Sequence, residues 1–499
     1  HMGHAYSSII ADFFARLKRI QGYNVFFLTG TDEHGQKIQR AAEKANKDPL
    51  KFCDEISKTF KDLSSTLNLS NNDFIRTTEN RHFKSVENLW NILEKKKEIY
   101  LSKYSGWYSV SDEAFYTEDE IENISGKKIS KSSGSTVEWV EEESFFFKLS
   151  KWQEPLLKFY SDNPKFILPD TRKNEVISFV KSGLKDLSVS RKSFSWGIKV
   201  PSNKDHVIYV WLDALTNYLS ALNYPNENDE KFKKFWPADL HLIGKDILRF
   251  HAVYWPAMLL SAGLKTPRSV FGHGFLTREG QKMGKSLGNV LDPIELLEYG
   301  GIDAMRWYLL RDIEFGEDGD FQMRRFVDIV NSDLSNTIGN LLNRTITMSK
   351  KWFKENIPID NTLSSDSSLK TQSEIKIIEY MESFKESNFK NSANAIIDLA
   401  NSANLYLNDR APWKLIKDIS NKDIVALDIY SVLESCRIIG ILLNPLVPNL
   451  SNRILKQLNI ETSTINFKES LHWGLLDPNN GLQDPCPVMD KIEFKETSV

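Results

Sequence analysis

The stretch that decides the fold stands at the start of the chain, where His1-Met2-Gly3-His4 is followed by an apolar helical pattern. A second string, Lys282-Met283-Gly284-Lys285-Ser286, lies in the second half. Imidazole and ammonium groups stabilise charge on a phosphate that is being transferred, and glycine lets the backbone approach a ligand closely. We expect the two strings, folded together, to hold the triphosphate of ATP. The expected catalytic donors are His1, His4, Lys282 and Lys285, and the expected further ATP contacts are Gly3 and Ser286.

The residues after the first string predict half of a βαβ unit. Apolar residues between Ser7 and Gln21 have helical spacing, and Gly22 ends that helix. The apolar run Val25–Leu28 predicts a buried strand. In parallel sheets, ligands bind beyond the carboxyl ends of the strands, which is where Asp32 stands. A carboxylate there either pairs with an ammonium group or serves as a cap or turn residue.

The second half of the chain changes character along its length. Strand-like pieces are predicted at Val207–Trp211 and at Asp239–Ile243, each followed by polar residues. Beyond about residue 320 the apolar periodicity is almost entirely helical. The predicted fold is therefore α/β, with a Rossmann-like parallel sheet, an inserted α+β region, and an all-α helix bundle at the end.

Composition excludes several classes of protein. The 499 residues suffice for several domains, and the net charge of −3 gives no overall attraction to nucleic acid. The longest apolar stretches are far too short for a membrane span, and no leader opens the chain, so we expect a cytoplasmic protein without membrane contact. Three scattered cysteines, with no C-x-x-C pair, predict neither a disulfide framework nor a structural zinc, and no metal ligands are assigned. The pattern G-x-x-x-x-G-K-[ST] is also missing, which disfavours a P-loop NTPase.

The two strings resemble the H-x-G-H and K-M-S-K-S motifs of class I aminoacyl-tRNA synthetases. The second string departs from the family at Gly284, where serine is usual. A glycine there keeps the loop flexible and removes one hydroxyl donor, so we expect weaker transition-state contact without loss of activity. The family has a strand immediately before the first motif, and that first strand is expected to be missing here.

Four further segments, Gly30–Gly35, Tyr209–Tyr218, Ile243–Ile247 and Phe271–Phe275, resemble methionyl-tRNA synthetases of the bacterial type without zinc-knuckle cysteines. Gly30–Gly35 is similar to the segment that grips the amino group of methionine, which implies that role for Asp32. Tyr209–Tyr218 is similar to the segment that lines the side-chain pocket, although some relatives have proline at Leu215. The resemblance implies that methionine is bound by Trp211, Ala214, Leu215, Tyr218 and His273, and that the nucleoside is bound by Gly244 and Asp246. Aromatic faces make favourable contacts with a thioether sulfur. The spacing of residues 211, 214, 215 and 218 also fits one face of a helix that packs into an ordinary hydrophobic core.

The helical part would then bind tRNA. Methionyl enzymes have similar residues at Asn340, Arg344 and Trp413, where the family reads the first anticodon base. Arginine and amide groups can read a base edge, and an indole can stack on an unpaired base. The alternative is an ordinary helix surface beside a half-buried tryptophan. No further module follows the bundle, so we expect a monomer.

The resemblance implies domain boundaries as well as function. The predicted segments are the first half of the catalytic domain (1–94), an inserted connective domain (95–205), the second half of the catalytic domain (206–290), a linking region that contacts the tRNA stem (291–325), the helical anticodon-binding domain (326–480) and a C-terminal tail (481–499). The insertion is too short for the editing domain of the isoleucyl, valyl and leucyl relatives, and the zinc ligands of cysteinyl relatives are missing.

The implied activity is ATP-dependent activation of L-methionine, with Mg²⁺ accompanying ATP, followed by transfer to tRNA(Met) for initiation and elongation of translation. Two alternatives stay open at this point: a small nucleotidyltransferase, which shares H-x-G-H, and a catalytically inactive tRNA-binding paralogue. Methionine-dependent exchange of pyrophosphate with ATP separates the three.

Overall fold

The computed structural model of the protein describes residues 2–284, 287–356, 367–385 and 388–494. The chain forms two compact units. Unit 1 comprises His1–Val25, Leu67–Ser70 and His273–Val499, and unit 2 comprises Phe26–Thr66 and Asn71–Gly272.

The α-helices are, in chain order, α1 (Met2–Ile20), α2 (Gln36–Lys44), α3 (Pro49–Thr66), α4 (Asn80–Lys95), α5 (Gln153–Asp162), α6 (Asp170–Lys181), α7 (Val210–Leu215), α8 (Asn217–Ser220), α9 (Glu230–Phe235), α10 (Trp255–Ser261), α11 (Pro293–Leu297), α12 (Gly301–Asp312), α13 (Met323–Val330), α14 (Leu341–Phe353), α15 (Ser368–Lys385), α16 (Lys390–Arg410), α17 (Pro412–Leu415), α18 (Lys422–Leu442), α19 (Pro448–Gln457) and α20 (Phe467–Ser470). Two π-helical stretches, Phe250–Tyr254 and Asn331–Asn340, lead directly into α10 and α14.

The strands are β1 (Leu28–Thr31), β2 (Asp73–Arg76), β3 (Ile99–Ser109), β4 (Ala114–Tyr116), β5 (Ile121–Ile124), β6 (Lys127–Ser130), β7 (Glu138–Phe147), β8 (Ile167–Leu168), β9 (Leu187–Ser188), β10 (Ser190–Arg191), β11 (Lys199–Val200), β12 (Asn203–Ile208), β13 (His241–Gly244), β14 (Val270–His273), β15 (Leu276–Arg278), β16 (Gln281–Lys282) and β17 (Gly319–Phe321).

Unit 2 contains short parallel strand pairs and a larger antiparallel sheet. Strands β1 and β2 pair in parallel with Leu28 opposite Asp73, and β14 pairs in parallel with β8. The inserted region forms an antiparallel sheet of order β4-β3-β7-β9, in which Ile99 lies opposite Phe147. In unit 1, helices dominate after β17. The predicted fold class is therefore confirmed: parallel pairing, an inserted α+β region, and a helical C-terminal part.

Two predicted element boundaries are wrong. The run Val25–Leu28 is mostly a connecting segment, since β1 and its pairing with β2 begin only at Leu28. Just before the strand, the Phe27 N–H donates to Asn72 Oδ1, and the Phe27 C=O accepts from the Asn72 N–H, at 2.8 Å each. The predicted strand Val207–Trp211 ends at Ile208, and Trp211 lies in α7. Both runs are short and apolar, and a short apolar run has no periodicity that separates strand from helix.

Helix α1 also begins earlier than predicted. It runs from Met2, so Gly3 and His4 belong to its first turn and do not precede the helix. Its buried face includes Ile9, Ile10 and Phe13, as the apolar spacing predicts.

One charged residue also lies on the buried face of α1. The Asp12 carboxylate accepts from Arg306 Nη1 at 2.6 Å, from Arg16 Nε at 2.8 Å and from the Ser70 N–H at 2.6 Å. Asp12 and Arg306 are both fully buried, so this pair ties α1 to α12 inside unit 1. Hydrophobic periodicity gives no sign of it.

Among the described helices, none has an apolar stretch long enough to cross a lipid bilayer. The six domain boundaries given above stay predictions.

Candidate active site

Asp32 follows directly after β1 in unit 2, at the carboxyl end of the strand. Its side chain is open to solvent, but protein groups crowd around it. Desolvation, and after it the nearby Asp213 carboxylate, act to raise the pKa of Asp32, while His82 and His34 act to lower it; the result is a pKa of about 6. The position and the charge fit the predicted ammonium-binding carboxylate.

Asp213, in α7, is the centre of a buried polar network. Its Oδ2 lies 2.7 Å from His34 Nδ1, and its Oδ1 lies 2.7 Å from His82 Nε2. His82 Nδ1 lies 2.8 Å from Ser220 Oγ. Although burial acts to raise it, the pKa of Asp213 stays below its usual value because the two imidazoles favour the ionised carboxylate.

Two further carboxylates flank this network. Glu33 is buried and forms a paired contact with the Arg76 guanidinium, with Nη2 2.8 Å from Oε1 and Nε 2.9 Å from Oε2. Glu113 accepts from the Lys37 N–H at 3.3 Å, and burial raises its pKa to about 7. A Cβ on Gly35, where φ is +114°, would come within 2.0 Å of Glu113 Oε1, so the approach of this carboxylate requires glycine.

The predicted methionine pocket is an aromatic cluster in unit 2. The Trp211 indole stacks on Phe250 with ring centroids 4.0 Å apart, and Tyr218 stacks on His241 at the same distance. Ala214 and Leu215 are buried in α7 beside Trp211. The pKa of the Tyr218 hydroxyl is raised mainly by burial, and the charge of the Asp32 carboxylate adds to this rise.

Two buried histidines for which no role was predicted, His251 and His241, lie against Tyr218. His251 Nε2 lies 2.7 Å from the Tyr218 hydroxyl, and burial lowers the pKa of His251 to about 4. His241 accepts from the Trp255 indole N–H at 3.2 Å, and burial lowers its pKa as well. A sequence signal was available for His251, which stands five positions after the predicted nucleoside residue Asp246, but nothing in the local sequence marks it as a neighbour of Tyr218.

The predicted nucleoside residues lie at the end of β13. Gly244 is its last residue, and Asp246 is exposed in the single turn that follows. The neighbouring strand approaches closely here, since a Cβ on Gly272 would lie 3.7 Å from the Lys245 Cα. Because Asp246 is exposed, its carboxylate is accessible to a polar ligand.

In unit 1, His4 of the first motif lies in α1, and His273 lies at the end of β14. Burial lowers the pKa of His4. His273 Nε2 lies 2.9 Å from Ser7 Oγ, and its ring meets Tyr6 edge-on at 5.4 Å. The predicted roles of His4 in catalysis and of His273 in methionine binding stay predictions, and His1 lies outside the described residues.

Asn289 holds the described part of the second motif, residues 282–284, through two hydrogen bonds. The Gly284 N–H donates to Asn289 Oδ1 at 2.9 Å, and Asn289 Nδ2 donates to the Lys282 C=O at 3.0 Å. Lys282 ends β16 and is exposed. Lys285 and Ser286 lie outside the described residues. These two hydrogen bonds of the Asn289 side chain were not predicted, although Asn289 stands only seven positions after Lys282.

The predicted anticodon residues lie in the helical part of unit 1. The Arg344 guanidinium carbon lies 5.8 Å from the centre of the Trp413 ring, and Arg344 Nη2 donates to Asn408 Oδ1 at 3.3 Å. Asn340 is exposed at the end of the second π-helical stretch, immediately before α14. Trp413, at the start of α17, keeps 37% of its surface exposed and is not a core residue.

Across the part of the chain that the structure describes, no group of three or more histidine, cysteine, aspartate or glutamate side chains could hold a metal ion. The predicted lack of structural zinc stays a prediction.

Comparison with known proteins agrees with this arrangement. The family model for class I tRNA synthetases (M) matches residues 1–346, and the model for the anticodon-binding domain of methionyl tRNA ligase matches residues 358–498. The chain belongs to the methionyl-tRNA synthetase family.

Individual relatives cover nearly the whole chain. The methionine–tRNA ligase of Rickettsia conorii is 47% identical over 501 residues, covering 99% of this chain and 96% of the relative. The ligase of Halalkalibacterium halodurans is 44% identical, covering 99% of this chain and 77% of the relative. The crystal structure of Mycobacterium tuberculosis methionyl-tRNA synthetase bound by methionyl-adenylate is similar with a TM-score of 0.93 and 41% identity, covering 98% of this chain and 97% of that one. As a family member, the chain is an aminoacyl-tRNA ligase that activates methionine with ATP and charges tRNA.

Proposed function

We propose that unit 2 binds L-methionine through two adjoining features. Ionised Asp32 accepts the α-ammonium group, and the apolar side chain lies against Trp211, Ala214, Leu215 and Tyr218. The observation that carries this assignment is the position of Asp32 at the carboxyl end of β1, where its charge also raises the pKa of the Tyr218 hydroxyl. The Asp32 carboxylate would then bind the ammonium group of methionine, while the rings of Trp211 and Tyr218 contact its thioether sulfur.

The two motifs of unit 1 would act on ATP. A carboxylate oxygen of methionine attacks the α-phosphorus, the bond from that phosphorus to the bridging oxygen breaks, and methionyl-adenylate and pyrophosphate form. His1, His4, Lys282 and Lys285 would stabilise the phosphate charge during this step, and Gly3 and Ser286 would add further contacts to ATP. Of these residues, His1, Lys285 and Ser286 lie outside the described part of the chain. Gly244 and Asp246 of unit 2 would bind the nucleoside, with Asp246 accepting from the ribose hydroxyls.

The second step requires no protein nucleophile. A ribose hydroxyl of the tRNA terminus attacks the methionyl carbonyl, and AMP leaves. Asn340, Arg344 and Trp413 would bind the anticodon of tRNA(Met), with the Arg344–Trp413 contact providing a stacking surface. We further propose that Mg²⁺ accompanies ATP and that the chain acts as a monomer in the cytoplasm.

Pyrophosphate exchange tests the assignment of the second motif. Lys282→Ala should lower kcat of methionine-dependent exchange by about 10²-fold, the scale of losing one transition-state donor, with little change in the KM for methionine. Lys468→Ala, which removes an exposed lysine of α20, is the matched control and should leave exchange unchanged. If Lys282→Ala exchanges at the rate of the control, the proposed role of Lys282 is wrong. No exchange in the unaltered protein would identify a non-catalytic tRNA-binding member of the family.

A further inference from the structure

Helix α16 contacts the segment that carries two of the predicted anticodon residues at two points. Asn404 Nδ2 donates to the Thr337 C=O at 3.1 Å, in the second π-helical stretch. Asn408 Oδ1 accepts from Arg344 Nη2 at 3.3 Å, in α14. The two asparagines are four positions apart and therefore lie on one face of α16. Asn340 stands between the two points of contact, three residues after Thr337 and four before Arg344.

The Thr337 carbonyl lies where the winding of the helix changes. In a continuous α-helix it would accept from the Leu341 N–H, but that N–H donates to the Ile338 C=O instead. Leu341 is also the first residue of α14, so the π-helical geometry ends at this point. A backbone acceptor outside the α-helical pattern needs a donor from elsewhere, and the Asn404 amide supplies one.

The Asn404 side chain is itself fixed in orientation. Its Nδ2 also donates to the Ala400 C=O of α16, at 3.1 Å. Two carbonyl oxygens can be faced only by the amide nitrogen, so the NH₂ group and not the oxygen points at Thr337. One amide hydrogen is used within α16 and the other across to the π-helical stretch. Asn404 therefore links the two segments through a donor that has no freedom to rotate.

We propose that Asn404 is a positioning residue for anticodon recognition: its hydrogen bond to the Thr337 carbonyl fixes where the π-helical stretch gives way to α14, and thereby the face on which Asn340 and Arg344 are presented. The hydrogen bonds of a π-helix span one residue more than those of an α-helix. A change in the length of the π-helical stretch would therefore rotate the side chains that follow, including Arg344, whose guanidinium carbon lies 5.8 Å from the Trp413 ring centre. This inference rests on the proposed anticodon site and deepens it.

The main test separates loss of the donor from loss of packing. Asn404→Asp keeps the shape of the side chain but places an acceptor against the Thr337 carbonyl, and Asn404→Leu keeps the bulk without any polar group. Both variants should raise the KM for tRNA(Met) in aminoacylation by about tenfold, while methionine-dependent pyrophosphate exchange without tRNA stays within about twofold. An unchanged KM in Asn404→Asp would overturn the proposal, because a packing role tolerates that substitution.

A tRNA with its first anticodon base replaced shows whether the effect passes through the anticodon. Asn404→Leu should charge this tRNA with the same kcat/KM as the unaltered protein, because the contact that the variant weakens is already missing. An equal loss of kcat/KM on both tRNAs would make Asn404 a structural residue of the helical part and overturn the proposal.

Gln457→Leu is the matched control. Gln457, in α19, also donates from a side-chain amide to a backbone carbonyl of unit 1, that of Cys486. Its substitution should lower Tm about as much as Asn404→Leu does and leave the KM for tRNA(Met) unchanged. An equal rise of the KM in Gln457→Leu would overturn the proposal, since any lost amide–carbonyl bond of the unit would then have the same effect.

Two measurements separate this proposal from the proposed function. Amide hydrogen exchange of residues 338–342, measured without tRNA, should be about tenfold faster in Asn404→Asp than in the unaltered protein, and equal rates would overturn the proposal. Arg344→Ala should raise the KM for tRNA(Met). If it does not, while exchange is faster in Asn404→Asp, the proposed anticodon site is wrong and the link between Asn404 and the helix winding stands.

Discussion

The Tyr218 hydroxyl and His251 Nε2 lie 2.7 Å apart, and their protons can be assigned. His251 Nδ1 lies 3.0 Å from the Ile247 C=O, so this nitrogen donates and Nε2 accepts from the tyrosine. Burial lowers the pKa of His251 to about 4, which keeps the imidazole neutral above that pH. The pair is thus an uncharged wall of the proposed methionine pocket.

Tyr218→Phe should weaken methionine binding by about tenfold, because it removes the donor to a buried imidazole nitrogen and disturbs the pocket wall. The loss should be the same from pH 6 to pH 9, since neither group titrates there. Isothermal calorimetry gives the Kd directly. Tyr160→Phe is the control: it removes a buried hydroxyl that donates to the Ala252 C=O in the same unit, and it should leave the Kd unchanged. A pH-dependent loss would show that His251 is charged.

Methionine affinity should fall as the pH drops below about 6. The pKa of Asp32 is raised to about 6 in the folded protein, so the carboxylate that pairs with the ammonium is lost by protonation below that value. The corresponding contribution to folding has the opposite sign: it favours the folded state below the unfolded pKa of 3.8 and disappears as the pH rises through 6. Equilibrium dialysis between pH 4.5 and 8 measures the affinity. Asp32→Asn should bind weakly with no such slope; a persistent slope would assign the titration to another group, such as Glu113.

Arg306→Leu should destabilise the protein by about 3–5 kcal/mol, because it leaves the fully buried Asp12 carboxylate without its main partner. The double variant Asp12→Leu/Arg306→Leu should be more stable than this single variant. Arg325→Ala serves as the exposed control, since its pair with Asp312 is largely solvated on the arginine side and should contribute less than about 1 kcal/mol. Urea unfolding measures all three. A small effect of Arg306→Leu would mean that Arg16 alone satisfies Asp12.

Trp413→Ala should separate charging from activation. Loss of stacking on an anticodon base should cost about 1–3 kcal/mol in tRNA binding and reduce aminoacylation sharply. Methionine-dependent pyrophosphate exchange without tRNA should stay within about twofold. Since 37% of the indole surface is exposed, Tm should change little. A parallel fall of charging, exchange and Tm would make Trp413 a structural residue.

Much of this protein could be predicted from local sequence. The amphipathic first helix and the helical C-terminal part follow from periodicity, which a single segment carries by itself. The position of Asp32 close after a strand was predictable, because the apolar run before it indicates a buried strand, while its role in binding the ammonium group stays a prediction. The two motifs and the Tyr209–Tyr218 segment carried the family resemblance, and with it the class of reaction.

Tertiary structure decided the partners of these residues. His34, His82 and Asp213 are 131 or more positions apart where they meet, and no pattern in the chain marks them as one network. The same holds for Asp12 with Arg306, 294 positions away, and for the choice of His251 as the neighbour of Tyr218. The physical reason is that a buried charge or imidazole is stabilised by whatever group the fold brings within hydrogen-bond distance. Sequence determines that such groups exist, and only the packed chain determines which of them meet.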